Sequence, residues 1–143
     1  MNADKAFIDT NVYIYYQSSD NFSKHKISEE AINYFDCVIS TQVINEICSI
    51  LTRKYPTPLS QINKFIKDIV NSTELIIITY PIITKALDLH GKLSLSSFDA
   101  LMVVAAYEAG CKYLISEDMQ DGLIIDNKLQ IINIYEHTDL LTR

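Results

Sequence analysis

Short apolar segments alternate with amphipathic helical segments along almost the whole chain. Five segments have the length and apolar character of buried strands, and they cover residues 5–9, 37–40, 75–79, 112–116 and 129–134. The segment 75–79 is a continuous apolar run, which predicts a central parallel strand. Strands that alternate with helices indicate an α/β fold with a parallel sheet and helices on both of its faces.

Helical patterns fill the intervals between these strands. Thr10, Thr41 and Ser96 each stand where a side-chain oxygen can cap the helix that follows. Pro56 and Gly91 are predicted to end two of the helices. The predicted helices cover residues 11–16, 24–35, 59–70 and 80–90, with two more from Thr41 to about Lys54 and from Ser96 to Gly110.

Length and composition predict one compact domain over residues 1–143 that needs no disulfide or metal to fold. The three cysteines are dispersed in apolar sequence, which indicates reduced thiols. The chain shows no signal segment at its start and no apolar run near the ~20 residues of a membrane span. These features predict a cytoplasmic protein that does not enter a membrane.

The net charge of −6 argues against broad binding of a nucleic-acid backbone, which favours a basic surface. The same charge is compatible with a nucleic-acid enzyme whose acidic pocket is neutralised by divalent cations. Two basic groups, residues 24–26 and 53–54, could contact phosphates, but the low charge density favours an ordinary solvated surface.

Four acidic residues stand at the ends of predicted elements. Asp9 ends the first strand, and Glu46 lies one turn into the helix after the second. Asp99 falls in the first turn of a helix, and Asp118 follows the next strand by two residues. Since the ligand crevice of an open α/β sheet lies beyond the carboxyl ends of its strands, all four could meet there.

Carboxylates that converge repel one another, and a hard divalent cation with a preference for oxygen ligands relieves the repulsion. Such a cation activates water and assists phosphodiester cleavage. Each acid also has an ordinary structural interpretation. Asp99 can act as a helix N-terminal charge, Asp9 and Asp118 as turn residues, and Glu46 as a solvated helix residue.

Four motifs in order give the chain a family resemblance. Residues 6–12, 39–47, 96–106 and 113–122 resemble the four sequence motifs of PIN domains. The resemblance implies a PIN-like three-layer α/β/α fold with a central, mostly parallel sheet. It also implies a Mg²⁺- or Mn²⁺-dependent endoribonuclease, often a VapC-like toxin that a small antitoxin protein neutralises. The tail at residues 132–135 departs from the Asn-Pro-Phe ending of one subgroup.

The resemblance also assigns the site residues. Asp9, Glu46, Asp99 and Asp118 match the acidic quartet that binds metal and catalyses cleavage. Asp121 matches a variably acidic position, predicted to bind a second metal or to support the quartet. The polar residues predicted to orient the quartet are Thr10, Asn11 and Ser116.

Two other functions stay open at this level. A HAD-type phosphohydrolase also starts from an Asp after the first strand, but Asn11 stands where it needs a second Asp. A PIN-like module could bind RNA or protein without cleavage, although a pure binder has no need of clustered carboxylates. A homodimer that also accepts a partner helix is predicted from the apolar stripe over residues 59–70, for which core burial is the default.

Overall fold

The computed structural model describes residues 3–54 and 56–142. Its strands are β1 (Lys5–Ile8), β2 (Asp36–Ser40), β3 (Glu74–Ile76), β4 (Tyr113–Ile115), β5 (Ile124–Ile125) and β6 (Leu129–Ile132). Its α-helices are α1 (Thr10–Gln17), α2 (Phe22–Tyr34), α3 (Thr41–Arg53), α4 (Leu59–Ser72), α5 (Tyr80–Lys92) and α6 (Ser97–Glu108). Two short 3₁₀ turns, Ile134–Glu136 and Thr138–Leu141, follow β6.

The strands form one sheet in the order β3-β2-β1-β4-β6-β5. Every neighbouring pair is parallel except β5 with β6, which is antiparallel. The chain order of the strands is therefore not their spatial order. β1 lies in the middle, with β2 on one side and β4 on the other, which confirms the predicted α/β class with a mostly parallel sheet.

Both faces of the central strands are covered. Ala6, Phe7 and Ile8 are consecutive residues of β1, and all three have no exposed surface. Because successive strand residues point to opposite faces, helices must lie on both sides. α2 and α3 pack against β2, α6 packs across β1, β2 and β4, and α5 packs on α6. The result is the three-layer arrangement that the sequence predicts.

The prediction of a central strand over residues 75–79 is wrong. β3 has three residues and forms an edge of the sheet. Beyond it, the Ile78 N–H donates to the Thr41 hydroxyl at 3.0 Å and not to a neighbouring strand. Ile77 is 59% exposed. A continuous apolar run thus indicates a hydrophobic segment, but it does not show whether a strand is central or at the edge of the sheet.

Two helix starts differ from the prediction by one residue. The N-cap of α1 is Asp9, not Thr10, and the N-cap of α3 is Ser40, not Thr41. This shift frees both threonine hydroxyls for contacts outside their own helices. Ser96 caps α6 as predicted, with its hydroxyl accepting from the Asp99 N–H at 3.0 Å.

Glycines and turn residues mark the remaining differences. Gly91 lies inside α5 and does not end it, whereas Gly110 has a φ of +75° just after α6. β5 was not predicted, because a two-residue strand leaves no periodic signal. Asp126 and Asn127, both with positive φ, form the turn that joins β5 to β6.

The apolar stripe over residues 59–70 belongs mainly to the core. Ile62 and Ile69 are buried, and Phe65 and Ile66 are half-buried against the core. Leu59, at the start of α4, is 69% exposed. None of the described helices has the length and apolar character to span a membrane.

Candidate active site

The sheet order brings three carboxyl ends to one edge. Asp9 follows β1, α3 with Glu46 follows β2, and Asp118 follows β4. Asp99 lies in the first turn of α6, which packs across the same three strands. All four acids line one pocket of about 280 Å³. The positions of these acids at the ends of predicted elements therefore predict that they meet in one pocket. Their role in metal binding and catalysis stays a prediction.

Asp9 is the most buried of the four acids, with 7% of its surface exposed. Its Oδ1 accepts from the Thr10 N–H at 2.6 Å, and its Oδ2 accepts from the Ser116 hydroxyl at 2.8 Å. The pKa of Asp9 is raised from 3.8 to about 6; burial is the largest cause, and the charges of Glu46 and Asp99 contribute to the same rise. The two hydrogen bonds oppose that shift without cancelling it.

Two other acids are held by residues of α1. The Thr10 hydroxyl donates to Glu46 Oε1 at 2.7 Å, and Asn11 Nδ2 donates to Asp118 Oδ2 at 2.6 Å. Together with Ser116, these are the three polar residues predicted to orient the quartet. Their side chains donate to three different acids, and the Thr10 N–H also donates to Asp9, so the first turn of α1 links the acids that follow β1, β2 and β4.

Asp99 occupies the wall of the pocket that α6 provides. Burial raises its pKa, a hydrogen bond with Ser96 partly offsets that rise, and the charge of Asp118 adds to it. The raised pKa values of Asp9 and Asp99 have a common cause. Both carboxylates lose water, and both feel neighbouring negative charge.

The donors in this pocket fit a hard divalent cation. Carboxylate, amide and hydroxyl oxygens are the ligands that Mg²⁺ and Mn²⁺ prefer. Within residues 3–54 and 56–142, no three acidic, histidine or cysteine side chains are grouped so as to hold a metal ion as they stand. The pocket contains oxygen atoms that can bind such a cation. Which of them bind it is inferred from their chemistry.

A family model described as PIN domain matches residues 6–120. The chain belongs to the PIN-domain family. The match includes the segments that carry all four acids of the pocket, together with Thr10, Asn11 and Ser116. Asp121 lies one residue beyond the match.

Solved structures share the fold of this PIN-domain chain. The VapC20 toxin of Mycobacterium tuberculosis, described as cleaving the sarcin–ricin loop, is 15% identical, with 79% of this chain and 91% of that chain covered and a TM-score of 0.64. A toxin–antitoxin complex from Klebsiella pneumoniae is 18% identical, with 90% and 96% covered and a TM-score of 0.65.

A third structure, VapBC2 of Rickettsia felis bound to a DNA fragment from the promoter, is 15% identical. The match covers 80% of this PIN-domain chain and 88% of the chain in that structure, with a TM-score of 0.59. At these identities the likeness concerns the fold. No curated protein sequence is significantly similar to this chain.

Asp121 is not among the described residues that line the pocket. Its Oδ1 accepts from the Asn133 N–H at 2.8 Å, and its Oδ2 contacts His137 Nε2 at 2.6 Å. The Asn133 N–H holds the pKa of Asp121 below its usual range, with His137 adding to the effect. In this PIN domain Asp121 therefore anchors the segment after β6, and its predicted role as a second-metal or supporting residue stays a prediction.

Several pocket residues were not assigned to the acidic site from the sequence, although Arg53 belongs to a basic group that could contact phosphates. Ser49, Ile50 and Met102 line the pocket, as does Arg53. Three of these follow Glu46 at intervals of three, four and seven residues, so they share its face of α3. That spacing is the signal that could have identified them.

A polar cluster supports the strand-end loop of the pocket from outside. Tyr15 donates its hydroxyl to Glu117 Oε1 at 2.6 Å, and Lys24 forms an ion pair with Glu117 Oε2. The Lys24 Nζ also lies 4.9 Å from the centre of the Tyr15 ring. Glu117 stands between Ser116 and Asp118, so α1 and α2 both fix the loop that carries Asp118 of the pocket and Ser116, which donates to Asp9.

The raised pKa of Asp9 gives a prediction for the metal-free protein. Because the folded state binds this proton more tightly than the unfolded chain, stability is lost as the pH rises from about 4 to about 6, by up to about 3 kcal/mol. Asp9→Asn removes the charge and keeps an oxygen that can cap α1. In EDTA near neutral pH, we expect this variant to be more stable than the parent in urea unfolding, and the difference to vanish near pH 4.

Asp121→Asn is the control, because its shift has the opposite sign. The pKa of Asp121 is lowered in the folded protein, so its charge stabilises the fold above the unfolded pKa. The Asp121 variant should be less stable than the parent at neutral pH. A loss of stability in both variants would contradict the inferred repulsion around Asp9.

Proposed function

We propose that this chain is a Mg²⁺- or Mn²⁺-dependent endoribonuclease that acts in the cytoplasm as the toxin of a toxin–antitoxin pair. The observation that carries the proposal is the set of four carboxylates in one pocket of a PIN-domain chain. PIN-domain nucleases generally use divalent metals. The similar structures include a toxin that cleaves the sarcin–ricin loop and a toxin–antitoxin complex, which supports the finer assignment.

In this proposal Asp9, Glu46, Asp99 and Asp118 hold the cation. A bound Mg²⁺ or Mn²⁺ would lower the pKa of a coordinated water and neutralise charge on the phosphodiester. Ser116 and the Thr10 N–H hold Asp9, the Thr10 hydroxyl holds Glu46, and Asn11 holds Asp118. Such supporting hydrogen bonds fix ligand orientation and tune ligand basicity.

The alternative of a PIN-like module without cleavage accounts less well for the buried Asp9. A carboxylate with 7% exposure and a pKa raised to about 6 is costly for a surface that only binds. A bound divalent cation would compensate the charge of Asp9 and offset the cost of burying it. Strongly shifted acids are typical of catalytic sites for the same reason.

Purified protein is expected to cleave single-stranded RNA with Mg²⁺ or Mn²⁺ and to lose that activity in excess EDTA. Asp99→Asn should reduce the rate by at least about 100-fold, the usual scale for removing one catalytic group. The matched control is Asp88→Asn on α5, outside the described lining of the acidic pocket, which should cleave at the parent's rate. Gel analysis of labelled RNA measures all four samples.

Cleavage that continues in EDTA, or that Asp99→Asn retains, would show that the activity does not use this site. If RNA binds and no variant cuts it under any metal condition, the binding-module alternative is the correct one. Melting curves of the three proteins establish that each is folded before its activity is compared.

A groove away from the acidic pocket suits a short antitoxin helix. It measures about 390 Å³ and lies among α1, α2 and α4, with Tyr13, Tyr16, Ile32 and Phe65 among its lining residues. The Tyr13 hydroxyl is buried and has no hydrogen-bond partner among the described residues. An unpaired buried hydroxyl costs free energy, and a polar atom of a bound helix could satisfy it. The amphipathic α4 thus contributes to the proposed partner site, as the sequence suggested.

We expect the product of a short reading frame adjacent to the gene to co-purify with this chain and to inhibit its cleavage of RNA. Ser72→Arg adds bulk and charge at the lining of the groove and should weaken the complex about 10-fold or more. Asn63→Arg makes a similar change on α4 outside the described lining, and it should leave binding intact. Equal affinities of both variants would remove the groove from the interface.

The homodimer in this proposal uses α5. Tyr80, Ile83 and Leu87 are 77%, 48% and 64% exposed, and their spacing puts them on one face of the helix. Ile82 and Ala86, on a different face of α5, pack on α6. The stripe over residues 59–70, which first suggested a dimer, is mostly core. An exposed apolar helix face is the better candidate for self-association.

Leu87→Glu should convert the dimer to a monomer at tens of micromolar, because it places a charge in an apolar contact. Leu59→Glu changes an equally exposed leucine on α4 and should leave the dimer intact. Light scattering measures both masses. A parent that is already monomeric would exclude the dimer, and dissociation by Leu59→Glu alone would move the contact to α4.

A further inference from the structure

The acidic pocket also contains a positive charge. Among the described residues that line it, Arg53 is the only lysine or arginine, and four of the others are acids. Arg53 is the last residue of α3, and its side chain is exposed to solvent. Because a guanidinium stays protonated at any physiological pH, the charge is permanent.

Arg53 is not neutralised by the neighbouring acids. In the part of the chain that the structure describes, no carboxylate lies within ion-pair distance of it. Instead, its Nε donates to the backbone oxygen of Ser49 at 3.2 Å and to the Ser49 hydroxyl at 3.1 Å. This contact uses one N–H and leaves the two terminal amino groups of the guanidinium to bind a ligand.

The helix fixes where Arg53 stands relative to the acids. Glu46 and Arg53 are seven residues apart on α3, so they share one face and lie about 10 Å apart along its axis. Ser49 and Ile50 line the pocket between them. Arg53 therefore adjoins the same pocket as the acids, and it forms no ion pair with any described carboxylate.

We propose that Arg53 binds the RNA backbone at a phosphate next to the one that is cleaved, and that Ser49 positions it for this contact. The inference rests on the proposed nuclease function and adds to it a residue for substrate binding. A guanidinium matches two phosphate oxygens with parallel hydrogen bonds. On a chain with a net charge of −6, an unpaired arginine beside the pocket gives a polyanion a point of attachment.

The position of Arg53 also predicts how it affects the kinetics of cleavage. A phosphate that is not being cleaved carries the same charge in the ground state and in the transition state. Arg53 therefore contributes equally to both, which affects KM and leaves kcat nearly unchanged. This property distinguishes it from the four acids, whose loss should lower kcat.

The test measures RNA binding in an Asp99→Asn background, where the RNA is not consumed. Fluorescence anisotropy of a labelled single-stranded RNA is compared for Arg53→Gln and Lys54→Gln. Lys54 is the adjacent residue, equally charged and exposed, but outside the described lining of the pocket. Arg53→Gln should weaken binding about 10-fold, as expected for a lost charged hydrogen-bonding pair, and Lys54→Gln by less than about 2-fold.

Salt dependence and cleavage kinetics give two further readouts. Arg53→Gln should reduce the slope of log K against log salt by about 0.7, the value for one phosphate contact on a single strand. Arg53→Lys should restore that slope with incomplete affinity, because lysine keeps the charge and loses the paired geometry. In the cleaving enzyme, Arg53→Gln should raise KM with kcat within about 2-fold of the parent.

The outcomes separate this inference from the proposed function. If the Asp99→Asn protein binds no RNA, the nuclease proposal itself fails. If it binds RNA, and Arg53→Gln and Lys54→Gln have equal affinities and slopes, the role of Arg53 is wrong. A fall in kcat with an unchanged KM would also overturn it. If Arg53→Gln does not fold, Ser49→Ala tests the same contact, and an unchanged RNA affinity in that variant overturns the proposal.

Discussion

A carboxylate that is nearly excluded from water stands where the central strand of the sheet ends. Asp9 accepts one hydrogen bond from the backbone of α1 and one from Ser116, which follows β4. It therefore connects three elements that meet at one edge of the sheet. Burial opposes its charge, and its two hydrogen bonds only partly compensate. The next two residues, Thr10 and Asn11, contact Glu46 and Asp118.

The single-residue shift in the helix caps is part of the same arrangement. Because Asp9 caps α1, the hydroxyl of Thr10 is not needed for its own helix and can donate to Glu46. Because Ser40 caps α3, the hydroxyl of Thr41 is able to bind the backbone after β3. Local capping and distant contacts thus compete for the same side chains. Here the residue just before each helix takes the cap, and the threonine links two elements.

Negative and positive charges have different roles in the acidic pocket. Burial of Asp9 and Asp99 raises the cost of their charged forms in the folded state, and the four acids offer oxygens that suit a divalent cation. The backbone of Arg53 lies two turns of α3 from that of Glu46, its Nε donates to Ser49, and no described carboxylate lies within ion-pair distance of it. An arginine paired with one of the acids would neutralise both groups. In the proposed function, this separation keeps the negative charge for the cation and the positive charge for the RNA.

The sequence alone determined the alternation of strands and helices, the positions of the four acids, and the family motifs that contain them. These are local properties, since periodicity and strand ends can be read within a dozen residues. Only the tertiary structure decided that β3 is an edge strand, that Asp121 anchors the segment after β6, and that Arg53 faces the acidic pocket. Asp9 and Ser116, which share a hydrogen bond, are 107 residues apart. No local pattern specifies a partner at that distance, because strand order and side-chain contacts are set by how the whole chain packs.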